Sequence, residues 1–232
     1  MSNGEPQRRH RSRPESDNTD QKTEYIGPMT ILPAAYLPSI EYCAHWAQER
    51  CVIDAHEHFV KRSERNRTRI LTANGPLDLT VQVVRANRPR TPLCDLRIDY
   101  SKRWQHQHWT ALVSAYKASP YFDHYAPRFE PFYTQRYEFL LDYNLGLMTL
   151  LADILGLSVP PLSDRYLAAG TFDDGSPAVD LRPKKKQGTN FTPVPYIQVF
   201  ADRMPFAANL SIVDLLFCEG PRSRGILRQC RL

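Results

Sequence analysis

At 232 residues the chain can build one substantial domain or two small ones, and an apolar fraction of 42% is ordinary for a protein that buries a core. No apolar run reaches the roughly 18 to 20 residues a membrane-crossing helix needs, and residues 1–22 hold no apolar signal segment, so a cytoplasmic protein without a membrane span is expected. The net charge of +5 lies in short basic runs without interleaved aromatics, which argues against a nucleic-acid partner, and five cysteines without close pairing argue against a disulfide framework or a structural zinc site.

Residues 1–24 are polar and lack apolar periodicity, so they read as a disordered tail ahead of a single domain over 25–232. An apolar run at 29–32 suits a strand, broken at Pro33. Pro38 can open a helix, with Ile40, Cys43, Ala44 and Ala47 at helical spacing, and 51–54 reads as a second strand. Strand, helix and strand within so short a span predict a parallel βαβ unit. Residues 67–72 and 77–83 flank Ala73-Asn74-Gly75-Pro76, a hairpin signal, and 95–100 is a further strand candidate.

From Ser101 the pattern turns helical. Trp109, Leu112, Val113 and Tyr116 share one face, 121–133 predicts a shorter helix, and 137–155 a long central one. Pro160-Pro161 closes that region. Residues 173–195 are rich in Pro, Gly, Asp and Lys and read as a loop. Ser211 with Asp214 forms a variant capping box ahead of a helix at 212–218 that stops near Gly220. The expected class is α/β: a small mixed sheet with a βαβ start and a β-hairpin, backed by a helical segment.

Several segments carry a resemblance. They are Leu32-Pro33-Ala34-Ala35-Tyr36-Leu37-Pro38 with Glu41-Tyr42, and Val52-Ile53-Asp54 through His58-Phe59 to Lys61 and Arg65-Asn66-Arg67. Further on come Leu79-Thr80-Val81, Ile98-Asp99-Tyr100 with Trp104 and His108-Trp109, and Asn209-Leu210-Ser211-Ile212 through Glu219-Gly220. In this order and spacing the chain resembles the WbqC-like family over most of 31–220. It departs from the usual family pattern at Leu32, His58 and Cys218, where many relatives carry Gln, Gln and Asn. The resemblance implies a bacterial protein of surface-polysaccharide biosynthesis of the O-antigen or lipopolysaccharide type.

Asp54, His56 and His58 would share one face if a strand ran through them, a set able to hold a metal; the preferred reading ends the strand at Asp54 and expects no metal or other cofactor. Asp54 and His58 are then substrate contacts at the carboxyl end of a strand, where open α/β sheets bind ligands. Lys61, Arg65, Asn66 and Arg67 form a compact polar cluster suited to phosphate, or equally a solvated turn. His108, four residues after Trp104, is a candidate general base or a half-buried packing residue. Cys218 sits near a helix C-terminus, which disfavours a thiolate.

The leading expectation is a transferase that passes an acyl or aminoacyl group to an amino sugar, carried as a sugar nucleotide. His108 or Asp54 would be the catalytic base, with His58, Lys61, Arg65, Asn66 and Arg67 binding substrate and an acyl-carrier protein as a donor partner. The alternative is a non-catalytic scaffold that docks a carrier protein or a glycan enzyme. A concave pocket would favour the first and a flat basic patch the second.

Overall fold

The computed structural model describes residues 29–84, 91–168, 178–182 and 190–232. The expected tail at 1–24, residues 85–90 and, of the 173–195 loop, residues 173–177 and 183–189 lie outside the described residues.

Three parallel strands organise the first layer. Strand β1 (Met29–Pro33) is buried from Thr30 onward, as a parallel strand covered on both faces must be. Helix α1 (Ile40–Trp46) follows. Ser39, not Pro38, caps it, accepting a hydrogen bond from the Tyr42 amide at 3.3 Å, so the proline stands one residue outside the cap. All seven residues of α1 are buried. Strand β2 (Cys51–Asp54) then runs parallel to β1, with Thr30 opposite Cys51 and Pro33 opposite Asp54. The βαβ start is therefore present.

Strands β3 (Arg67–Thr72) and β4 (Gly75–Thr80) pair antiparallel, Thr72 facing Gly75. The connection is Ala73-Asn74, one step earlier than the Asn-Gly signal places it. Gly75 takes a φ of +102°, which its missing Cβ permits. Residues 95–100 form no regular strand. A short 3₁₀ turn (Leu93–Asp95) leads into isolated bridges that tie Ile98 to Val83 and Arg97 to Phe139. The apolar pattern there records burial of Leu96 and Ile98, not ladder pairing.

Helix α2 (Trp104–Tyr116) buries Trp104, His108, Leu112, Ala115 and Tyr116. Helices α3 (Phe122–Phe129) and α4 (Pro131–Thr134) divide at Pro131, which starts the second of them. Helix α5 (Leu140–Leu155) is central and ends at Gly156, left-handed with φ +63°.

Strand β5 (Ala178–Asp180) lies in the region read as loop, and it pairs parallel with β1 on the side away from β2, giving the order β2-β1-β5. Three half-buried residues bounded by Pro, Gly and Asp leave no periodic signal to detect. Helix α6 (Ile212–Glu219) starts after Ser211 as expected, but by another device. The Ser211 hydroxyl donates to the Leu37 carbonyl at 3.0 Å instead of capping its own helix. Asp214 is fully buried and accepts from Tyr116 (2.9 Å), Tyr196 (2.5 Å) and Gln198 (3.1 Å). Helix α7 (Ser223–Gln229) completes the chain. The architecture is mixed α/β, with the parallel sheet and the hairpin packed among the helices. Among the described residues no helix is long and apolar enough to cross a membrane, and all five cysteines are free thiols.

Candidate functional site

Strand β1 is the middle of its sheet. The chain leaves it through α1 to β2 on one flank, and β5 occupies the other. Such a change of direction opens a crevice beyond the carboxyl ends of the strands. A cleft of about 350 Å³ lies there. Ser39, beyond the end of β1, Leu181 and Arg182, beyond the end of β5, and the root of the β3–β4 hairpin all contribute to its wall.

The local folding follows from a few backbone contacts. Ser39 and Ser211 form an antiparallel bridge, with the Ile40 amide donating to Leu210 (2.9 Å) and the Ile212 amide to Pro38 (2.8 Å). The starts of α1 and α6 are thereby held side by side. The Ser211 amide donates to the Arg69 carbonyl at 2.7 Å, which fixes both against β3. Leu37, Arg62 and Asn209 take φ values of 41°, 57° and 53°, so left-handed backbone gathers around the cleft. Such conformations cost about 1–3 kcal/mol each and persist where surrounding contacts hold them. Thr68 and Ser211 both donate to the Leu37 carbonyl, and Asn209 exchanges hydrogen bonds with the Glu41 amide and carboxylate at 2.9 Å.

Arg67 and Arg69 alternate on β3, so both guanidiniums share one face. Arg67 reaches Asp78 at 3.0 Å and the Thr80 hydroxyl at 3.2 Å; Arg69 reaches Asp78 at 2.7 Å. Its hydrogen bond to Arg69 holds the Asp78 carboxyl below the ordinary carboxylate range, against a partial burial that pulls the other way. Arg62 adds a third cation, and the Ser39, Ser63, Thr68 and Ser211 side chains add hydroxyls. Glu64 also lines the wall and accepts from the Ser39 hydroxyl at 3.0 Å.

Behind the wall stand two buried ion pairs. Arg65 lines the floor, but its guanidinium is turned onto Glu57 in a two-pronged contact, with further hydrogen bonds to Ser63 (3.1 Å) and the Arg182 carbonyl (3.1 Å). Arg182 pairs with Asp54, with Asp180 at 2.7 Å and with the Leu167 carbonyl at 2.7 Å. Asn144, fully buried on α5, donates to the Ala34 and Arg65 carbonyls at 2.9 and 2.7 Å and so pins the floor from below.

The residues expected from sequence separate on these grounds. Arg65 and Arg67 line the cleft. Asp54 does end β2, but it is wholly buried and engaged by Arg182, the His56 amide (2.9 Å) and the Leu167 amide (3.2 Å). Asn66 is buried and donates to the Val81 carbonyl at 3.1 Å. Lys61 and His58 are exposed and outside the cleft wall, His58 stacking on Tyr166 with centroids 6.2 Å apart. His56 and His58 follow the end of the strand and do not extend it.

His108 lies in the interior. Its Nδ1 is 2.9 Å from the Tyr36 hydroxyl, itself 3.2 Å from that of Tyr133, and its ring packs edge-on to Trp104. Burial pushes the imidazole down to about 4, and a hydrogen bond to the Thr80 backbone offsets this only in part. The ring is neutral at pH 7 and contacts Thr80, whose hydroxyl receives Arg67, so it supports the cleft from behind without lining it. Cys218 is buried, which raises its thiol to about 12. The sequence reading did not single out Ser39, Glu64, Arg182 or Asn209. Arg62 and Arg69 offer no local signal beyond their charge, and Ser211 entered as a cap and within a family-like segment; tertiary pairing makes them neighbours.

The sequence profile of the WbqC-like protein family matches residues 34–181. The chain belongs to the WbqC-like family. No curated protein and no solved structure matches it. The WbqC-like match covers the hairpin, α1 and Leu181; Arg182, Asn209 and Ser211 complete the cleft from beyond it.

Proposed function

We propose that this WbqC-like protein is an enzyme of bacterial surface-glycan biosynthesis that binds a sugar nucleotide and transfers an acyl or aminoacyl group to an amino sugar. The observation that carries the reading is the cleft at the carboxyl ends of the parallel strands. Arg62, Arg67 and Arg69 converge there on a space of about 350 Å³. Guanidiniums match phosphate oxygens with paired hydrogen bonds. The volume lies within the range of small-molecule sites. Its concavity supports a small ligand over the docking of a protein scaffold.

In the reaction, the amine attacks the acyl carbonyl of an activated donor such as a carrier thioester. The bond to the leaving group breaks, an amide forms, and the amine proton passes to a base and on to the leaving thiolate. The burial of Asp54 and His108 favours a different base. The carboxylates that line the cleft are Glu64 and Asp78.

Calorimetric titration of the full chain with sugar nucleotides tests the reading. Binding is expected, and Arg67→Ala should weaken it by roughly 1.5 to 3 kcal/mol, the scale of hydrogen bonds to charged groups. An absence of binding to any sugar nucleotide, or an Arg67→Ala variant that binds as the parent does, would overturn the assignment of the cleft.

A further inference from the structure

We infer that Asp78 is an internal competitor for the phosphate site: its carboxylate occupies the arginine edge that a ligand phosphate needs, so the ligand binds by displacing it. The inference rests on the proposed function and names the residue that sets how tightly the site holds a phosphate.

Three arginine–carboxylate groupings meet at the cleft, and burial divides them. Arg65 is sealed against Glu57, and Arg182 against Asp54. Breaking either pair strands a charge in the interior, so both are fixed. Asp78 is 27% exposed and Arg69 59%, and the Asp78 carboxylate belongs to a residue of the cleft wall itself. Ion pairs this open contribute little to stability and exchange readily.

The register of the hairpin sets the geometry. Arg69 stands opposite Asp78 and Arg67 opposite Thr80, so the four side chains share one face. Arg69 gives Asp78 its Nε and Nη2 together, at 2.7 and 3.3 Å. That two-pronged edge matches a phosphate as well as it matches a carboxylate, and the two cannot share it. Arg67 gives Nη1 to Asp78 at 3.0 Å but Nε to the Thr80 hydroxyl at 3.2 Å. The threonine therefore holds Arg67 in place when the carboxylate swings away. A diphosphate brings two negative charges against the one it replaces, and Arg62 adds to the attraction. The hydrogen bond from Arg69 keeps Asp78 ionised at neutral pH, so the competition is always present there.

Titration calorimetry with UDP-N-acetylglucosamine tests this on the parent, Asp78→Asn and Asp78→Ser; the second substitution guards against one that perturbs the hairpin. Both variants should bind about three- to five-fold more tightly than the parent, the scale of an exposed ion pair that no longer has to be broken. A support for the arginines would give the opposite sign. Arg69→Ala should also weaken binding more in the Asp78→Asn background than in the parent, by about three-fold, because only there does the ligand meet an unopposed fork. Tighter binding with that coupling supports the inference. Equal or weaker binding by both Asp78 variants overturns it, as does an Arg69→Ala effect of the same size in both backgrounds; the phosphate cleft then stands without an internal competitor. Failure of the parent and the variants alike to bind removes the proposed function, and the inference with it.

Discussion

Burial and partners separate the arginines around the cleft, and set His108 apart, more sharply than residue type does. Arg67 is partly exposed, Arg69 more so, and the two share one carboxylate; Arg65, two positions earlier, is sealed against Glu57. His108 is 5% exposed, and its conjugate acid has been pushed down to about 4. The unfolded chain restores an ordinary imidazole near 6.5. Between pH 6.5 and 4 the unfolded state therefore binds more protons, and stability falls as pH falls through that window. The shift corresponds to roughly 3 kcal/mol at most. Burial raises Glu57 to about 7 against the pull of Arg65, and this contributes in the opposite sense. The informative measurement is thus the difference between the parent and His108→Gln in denaturant-derived stability across pH 4 to 7. The parent should lose more stability on acidification. Parallel curves would show that the ring is not held neutral.

At the scale of elements, β5 is the least conspicuous strand and carries a large part of the site. It is three residues long, yet it delivers Asp180 and then Arg182 to the end of β2. Asp54 has no exposure, so it depends on Arg182 for charge compensation. Arg182→Ala should cost about 3–5 kcal/mol, because removing one partner strands a buried charge. Adding Asp54→Asn to that variant should recover part of the loss, since the stranded charge goes with it. Thermal unfolding of the parent and both variants checks this, and an unchanged Tm in Arg182→Ala would contradict the buried pairing. The same ion pair couples β2 to β5 on either side of β1, and the Arg65 hydrogen bond to the Arg182 carbonyl extends that coupling to the hairpin root.

At the scale of the whole molecule, one contiguous core joins β1, α1, α2, α5 and α6. The family match begins at residue 34 and the first described strand at Met29. Residues 1–22 have the polar composition of a segment that buries little. Removing them should shift Tm by less than about 5 °C, since roughly 1 kcal/mol moves a domain of this size by about 2–4 °C. A larger fall would mean that these residues pack on the core.

The sequence by itself determined the family, the α/β class, the βαβ start, the hairpin and the long helices. Each rests on local information: Cys51–Asp54 is a short apolar run, Ala73-Asn74-Gly75 a turn, and α5 a sustained helical pattern closed by Gly156. For the 61–67 cluster it left two readings level, a place for anions or a solvated turn. Only the tertiary structure decided which members of that cluster face the cleft. Arg67 faces it because β3 pairs with β4 in one register, and Asn66 turns inward to Val81 by the same pairing. Arg182, Ser211 and Glu64 meet because β5 pairs with β1, and α6 starts against β3. Those contacts join residues more than a hundred positions apart. No local pattern encodes them, because they follow from how the packed layers close over a shared core.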